Sequence, residues 1–251
     1  MKKVKIVIIL VFMVCIFTGC SIEKKTITNK LTESLVEETS KEIPKPKEVP
    51  KQDKVVDSAI PEIKEIKEVN GFVLLSSLNR DIVIDLKYAT NDNFTKKVIY
   101  PNSICVLRKS TTEKLVKANA QLNKLGFKIK VWDAYRPIYV QQIFWDIVKD
   151  SRFVANPKNG GSIHNKGCAV DATIVNTKNN EVIMPSKFDD FSTNAYRSNS
   201  KMGEEAKKNM NILTKCMVDN GFTTLDTEWW HFDDVDSRKH KIIDIDLKLF
   251  K

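Results

Sequence analysis

The chain has 251 residues with a formal net charge of +9 and 42% hydrophobic residues, which suits one good-sized folded domain with additional segments. Basic residues do not cluster with aromatics outside the N-terminus, so the charge predicts no nucleic-acid partner. The five cysteines form no C-x-x-C pair and no dense framework, which argues against a Cys-based zinc or redox site and a disulfide scaffold.

The basic start Lys2-Lys3-Val4-Lys5 is followed by an apolar run from Ile6 to Phe17 and then Thr18-Gly19-Cys20. A basic n-region and a short apolar h-region form an export signal, and the run is too short for a span of roughly 20 residues. The ending resembles a bacterial lipobox, which implies cleavage before Cys20 and lipidation of its thiol. Residues 1–20 are therefore expected to be a lipoprotein signal peptide, with the rest extracytoplasmic and held to the membrane by lipid. Residues 21–70 contain no Gly and no aromatic residue, but many Lys and Glu with Pro44, Pro46, Pro50 and Pro61. Such a segment buries too little apolar surface to offset its ordering entropy, so it reads as a disordered tether. A helix is expected near Ile60 to Val69.

The folded domain is expected over 71–251. Ile82 to Tyr88 has strand composition. Ser110-Thr111-Thr112-Glu113 is a capping-box pattern that opens a helix through Leu115, Ala118 and Leu122 to Gly126. Phe127 to Trp132 alternates as a strand, and Pro137 suits the first turn of a helix reaching Val148. Cys168 to Val175 is a strand, and Gly203 to Asn220 a helix stopped by Gly221. Strands follow at Trp229 to Phe232 and Ile242 to Phe250. Without regular β-α-β alternation, this predicts an α+β fold with a mainly antiparallel sheet and flanking helices.

Chemistry concentrates in three segments. In Ser162-Ile163-His164-Asn165-Lys166-Gly167-Cys168-Ala169-Val170-Asp171, strand alternation puts Cys168, Val170, Ala172 and Ile174 on one face and Asp171 on the other. A mid-strand Asp is costly to bury unpaired, and a metal would offset that cost. Alternation also removes Cys168 as a ligand. In Thr227-Glu228-Trp229-Trp230-His231-Phe232, two titratable groups sit among large rings, where burial raises a Glu pKa toward that of a useful base. Glu228 and His231 are three apart, so a regular strand puts them on opposite faces. They share a site only if Glu228 lies in a preceding turn or the strand is bulged. Two His and one carboxylate would leave zinc a fourth, open position. In Val131-Trp132-Asp133-Ala134-Tyr135-Arg136-Pro137, Arg136 is either a salt-bridge partner or a fixed oxyanion stabiliser. His240, in a polar run, reads as a surface residue.

Taken together, Ser162-x-His164-x-x-Gly167-x-Ala169-x-Asp171 and Glu228-x-Trp230-His231 resemble the D-alanyl-D-alanine dipeptidases of the vancomycin-resistance type, which share a hedgehog-like fold. Asp85 to Thr90 through Asn93-Phe94, Asp133 to Pro137, and Met184-Pro185 through Phe188-Asp189 extend the likeness in the same order. The resemblance implies one Zn2+ per chain on His164, Asp171 and His231, with Glu228 as base and Arg136 as transition-state stabiliser. It also implies that Ser162 and Asp189 contact the dipeptide, Asp189 through the ammonium. The expected reaction is hydrolysis of D-Ala-D-Ala in cell-wall peptide turnover. A D,D-carboxypeptidase or endopeptidase acting on longer peptidoglycan stems is the alternative, and a non-catalytic zinc-binding lipoprotein a further one.

Overall fold

The computed structural model describes residues 65–251; the expected export signal, its lipidation site Cys20 and residues 21–64 of the expected tether lie outside the described residues. The first described elements form a hairpin. Strands β1 (Glu68–Val69) and β2 (Phe72–Leu74) pair antiparallel across Asn70-Gly71, both at positive φ (51° and 82°). Asn-Gly is the residue pair such a two-residue turn demands. The helix expected near Ile60 to Val69 is therefore a strand at its C-terminal end, Glu68–Val69; residues 60–64 of it lie outside the described residues.

Helix α1 (Leu75–Leu78) and strand β3 (Val83–Ile84) follow. The strand expected over Ile82 to Tyr88 is thus only two residues long. Its remainder turns at Asp85, whose N–H bonds the Val131 carbonyl, into a 3-10 turn at Lys87–Ala89 that buries Tyr88. Strand β4 (Val106–Arg108) runs directly into helix α2 (Lys109–Asn123). The expected capping box does not form. Arg108 is the N-cap with no side-chain bond, and Ser110 is exposed in the first turn. Thr111 and Thr112 instead donate to Asp234 and to the Arg108 carbonyl, because β4 continues straight into the helix.

Strand β5 (Phe127–Asp133) and helix α3 (Ile138–Val148) lie where expected, except that Pro137 is the N-cap residue. Strand β6 (Ala169–Asn176), helix α4 (Glu204–Asp219), strand β7 (Phe222–Leu225) and strand β8 (Glu228–Asp234) complete the regular elements. Ile242 to Phe250 is not a strand: only a 3-10 turn forms, at Leu247–Phe250. Its apolar residues Ile245, Leu247 and Phe250 anchor on Phe72, Val106 and Tyr135 by side-chain packing rather than by a ladder.

The result is α+β. A five-stranded sheet in the order β3-β5-β6-β8-β7 is antiparallel except for the parallel β3–β5 pair, beside a small antiparallel sheet β1-β2-β4. Leu115, Ala118 and Leu122 of α2 and Met210, Leu213 and Met217 of α4 join Ile129, Val131, Val170, Ala172 and Ile174 in the main core. Truncating one such Leu or Ile to Ala would cost about 2–5 kcal/mol. The core takes one face of β6; Ala169, Asp171 and Thr173 alternate onto the other.

Candidate metal centre

Three adjacent strands set a row of polar groups across that other face. Asp171 of β6 lies opposite Asp133 of β5 and opposite His231 of β8. His164 comes from the 3-10 turn Ile163–Lys166, just ahead of β6. The turn is capped reciprocally: Ser162 Oγ accepts from the His164 N–H (3.2 Å), and Asn165 Oδ1 accepts from the Ser162 N–H (2.7 Å). Asn165 also donates to the Arg136 carbonyl (2.8 Å), and the Arg136 N–H bonds the His164 carbonyl (3.1 Å), which ties this loop to the β5–α3 junction. The turn ends at Gly167, with φ +70°, where an added Cβ would lie 2.2 Å from Phe72 Cε1.

His164 Nε2, His231 Nδ1 and Asp171 Oδ1 converge. The two nitrogens are 3.2 Å apart, and they lie 3.3 Å and 3.0 Å from the carboxylate oxygen. Their outer partners assign the tautomers. His164 Nδ1 is 2.8 Å from the Ala134 carbonyl, which only accepts, so Nδ1 carries the proton. His231 Nε2 is 3.0 Å from Asp233 Oδ1, so that nitrogen carries its proton too. Both inward nitrogens then present lone pairs to each other and to a carboxylate. Such a donor set fits a divalent cation with an open fourth position. Without a cation, charge gathers there: burial opposes protonation of His231, but Asp171 and Asp233 hold its pKa well above the ordinary value. Burial likewise works to raise the Asp171 pKa, and His164 and His231 overcome it to hold the carboxyl far below the usual range.

The geometry of Glu228 answers the strand-alternation problem. Thr224 pairs with Phe232, yet Leu225 pairs with Glu228, so β8 is irregular between those positions. The bulge brings Glu228 and His231 to one side, with Oε2 3.9 Å from Nδ1. Burial raises the Glu228 pKa above the ordinary carboxylate value.

Arg136 is a salt-bridge partner, one of the two readings its sequence position left open. Asp133, fully buried, accepts from its Nε (2.9 Å) and Nη2 (2.7 Å), and Gln141 accepts from Nη1 (3.0 Å). Nη2 also lies 3.8 Å from Asp171 Oδ2, so the guanidinium is fixed beside the centre. Asp189 takes hydrogen bonds from the Tyr88 hydroxyl (2.9 Å) and the Phe94 N–H (3.2 Å). Burial pushes its pKa up to about 7, with the Asp171 charge adding to the rise.

A cleft of about 240 Å³ is lined by His164, Asp171, His231, Glu228, Arg136, Ser162 and Asp189 together. The seven candidate residues that the structure describes thus face one space. Cys168 stays out of it, with its thiol directed to the Lys166 carbonyl, and His240 is not among the clustered ligand groups. Sequence reasoning missed Asp133, Asp233, Tyr88 and Gln141 as site residues. Asp233 had a usable signal: it sits two residues after His231 and so shares its strand face.

A family model described as D-ala-D-ala dipeptidase matches residues 68–246. A D-alanyl-D-alanine dipeptidase of Escherichia coli K12 is 30% identical over 168 residues, covering 67% of this chain and 86% of the relative. D-alanyl-D-alanine dipeptidases of Enterococcus faecalis (27%, 66% of this chain and 93% of the relative) and Streptomyces coelicolor (26%, 64% and 90%) are also similar.

Proposed function

The chain belongs to the D-alanyl-D-alanine dipeptidase family of metallopeptidases, and on that premise we propose that it hydrolyses D-Ala-D-Ala to two D-alanines. The convergence of His164 Nε2, His231 Nδ1 and Asp171 Oδ1 carries the reading. These residues would hold one Zn2+ per chain. When bound there, zinc would polarise the scissile carbonyl and lower the pKa of a water.

The side chains supply the rest. The Glu228 carboxylate, with a pKa raised by burial, takes the proton of the attacking water and returns it to the leaving amine. Arg136, held by Asp133 and Gln141, offers its remaining N–H groups to the oxyanion. Asp189 receives the substrate ammonium and Ser162 gives a hydrogen bond to the dipeptide. The small cleft and the anchored Asp189 favour a free dipeptide over a longer stem. The export signal and Cys20 support a lipid-anchored, extracytoplasmic enzyme acting on peptidoglycan-derived peptides.

The test is release of D-Ala from D-Ala-D-Ala, run beside a stem pentapeptide, by chelator-stripped protein titrated with zinc. Activity should return at one zinc per chain. Glu228→Gln should lose nearly all turnover while still binding zinc; retained turnover would refute its role as base. Metabolic labelling with a radioactive fatty acid should mark the wild-type protein and not Cys20→Ala.

A further inference from the structure

We propose that Arg152 is a specificity-determining residue of this cleft, recognising the free C-terminal carboxylate of the dipeptide. The inference rests on the dipeptidase reading above and names the half of the substrate that reading leaves without a partner. D-Ala-D-Ala is a zwitterion, so its site needs an anion for one end and a cation for the other. The anions of the lining are Asp171, Glu228 and Asp189; the cations are Arg136 and Arg152. Arg136 is committed. Asp133 takes its Nε and Nη2, Gln141 takes Nη1, and it sits buried beside Asp171, where it faces the reacting carbonyl. Among the described residues of the lining, Arg152 is the cation that remains to meet a terminal carboxylate.

Its setting suits the task. The Arg152 side chain is 77% exposed, and it is held by Asp150 through Nε and Nη2. That leaves the Nη1 hydrogens and the second Nη2 hydrogen free, and Nη1 with Nη2 presents the end-on fork that carboxylates accept. The guanidinium lies over the Phe153 ring, 5.4 Å from its centroid. Phe153 packs on Phe191 (5.1 Å) and Phe191 on Phe94 (5.3 Å), whose N–H anchors Asp189. One aromatic wall therefore spans from the cationic rim to the ammonium acceptor. The cleft, at about 240 Å³, is smaller than the roughly 300–1,000 Å³ of drug-sized pockets, so both ends of a dipeptide meet its lining. Ser162, whose Oγ already accepts from the His164 N–H, keeps its own proton for the same carboxylate. An exposed ion pair such as Arg152–Asp150 is weak in water, so Arg152 can turn toward substrate at little cost.

The experiment compares wild type, Arg152→Ala and Arg152→Lys as zinc-loaded full chains. The two ligands are D-Ala-D-Ala and its C-terminal amide, which lacks the negative charge. Steady-state kcat/KM and calorimetric affinity are both measured. Arg152→Ala should lower the values for the dipeptide roughly ten- to hundredfold, mainly through KM, as expected for a lost charge-assisted hydrogen bond. The amide should bind and turn over as in wild type, and Lys should recover part of the loss. Equal losses for dipeptide and amide would show a merely structural role and overturn the proposal, as would no loss for either. Wild-type turnover of D-Ala-D-Ala decides the dipeptidase reading separately. If turnover is absent, the affinities still decide the role of Arg152, and absence of dipeptide affinity in wild type overturns both.

Discussion

Asp133 is the residue on which the site and the fold depend together. Its carboxylate is fully buried and accepts from the Tyr100 hydroxyl (2.6 Å), the Ala134 N–H (2.9 Å) and two nitrogens of Arg136. Asp133→Ala would leave the Arg136 guanidinium, itself only 8% exposed, without its counter-charge. Gln141 would remain, and Asp171 is 3.8 Å away with its charge already shared with two histidines. Breaking a buried pair from one side costs about 3–5 kcal/mol, and the lost acceptor of Tyr100 adds about 1 kcal/mol. A loss of about 4–6 kcal/mol is a large part of the 5–15 kcal/mol that holds a domain folded. Urea unfolding of the full chain, followed by tryptophan fluorescence, measures it. Arg136→Ala/Asp133→Ala should be less destabilised than the sum of the two single variants, because it removes the stranded charge along with its partner. A loss under about 1 kcal/mol for Asp133→Ala, or strict additivity in the double variant, would refute this account of the pair.

Asp233→Ala frees His231 to adopt the wrong tautomer, so zinc affinity measured by chelator competition should fall about 10- to 100-fold with the fold intact; unchanged affinity would remove Asp233 from the centre. Gly167→Ala combines a left-handed backbone with a Cβ 2.2 Å from the Phe72 ring, and should cost about 3 kcal/mol in thermal or urea unfolding. Asp189 gives a pH signature in metal-free protein. Its folded pKa of about 7 lies above the ordinary carboxyl value, so the folded state holds the extra proton between about pH 4 and 7. Stability from this group is present at low pH and declines as pH rises through that window, by at most about 1.4 kcal/mol per unit, and is flat above it. The difference between wild type and Asp189→Asn should show that slope in urea melts from pH 4 to 8; a flat difference would show that Asp189 titrates normally.

Elements whose periodicity is complete within their own residues were legible from sequence. The Leu115-Ala118-Leu122 stripe, the alternation of Phe127 to Trp132, and the apolar face of Glu204 to Asp219 need no distant partner to announce themselves. Long-range pairing decided the rest. Val83 and Ile84 make a strand only because β5 lies parallel to them, and the chain leaves that ladder as soon as Asp85 bonds Val131. Ile242 to Phe250 has strand-like residues, but its apolar side chains are used as pegs on the small sheet. Ser110 carried a cap signal that the fold bypasses, because β4 supplies the helix entry.

The site shows the same division with more at stake. Residue types and spacing pointed to His164, Asp171, Glu228 and His231, but spacing could not put them together. Two features of the sheet do so. Neighbouring strands set Asp171 between Asp133 and His231, and the irregular pairing between Thr224 and Leu225 turns Glu228 to the side of His231. A bulge is a property of two strands in register, so no reading of Glu228 to Asp234 alone could supply it. The same sheet also connects the roles. Asp133, Asp171 and His231 share one row, so the strand that fixes the guanidinium neighbours the strand that carries the Asp171 carboxylate. Shifting either strand by one residue would send its polar group into the core and separate the Arg136 guanidinium from the candidate metal centre in one step.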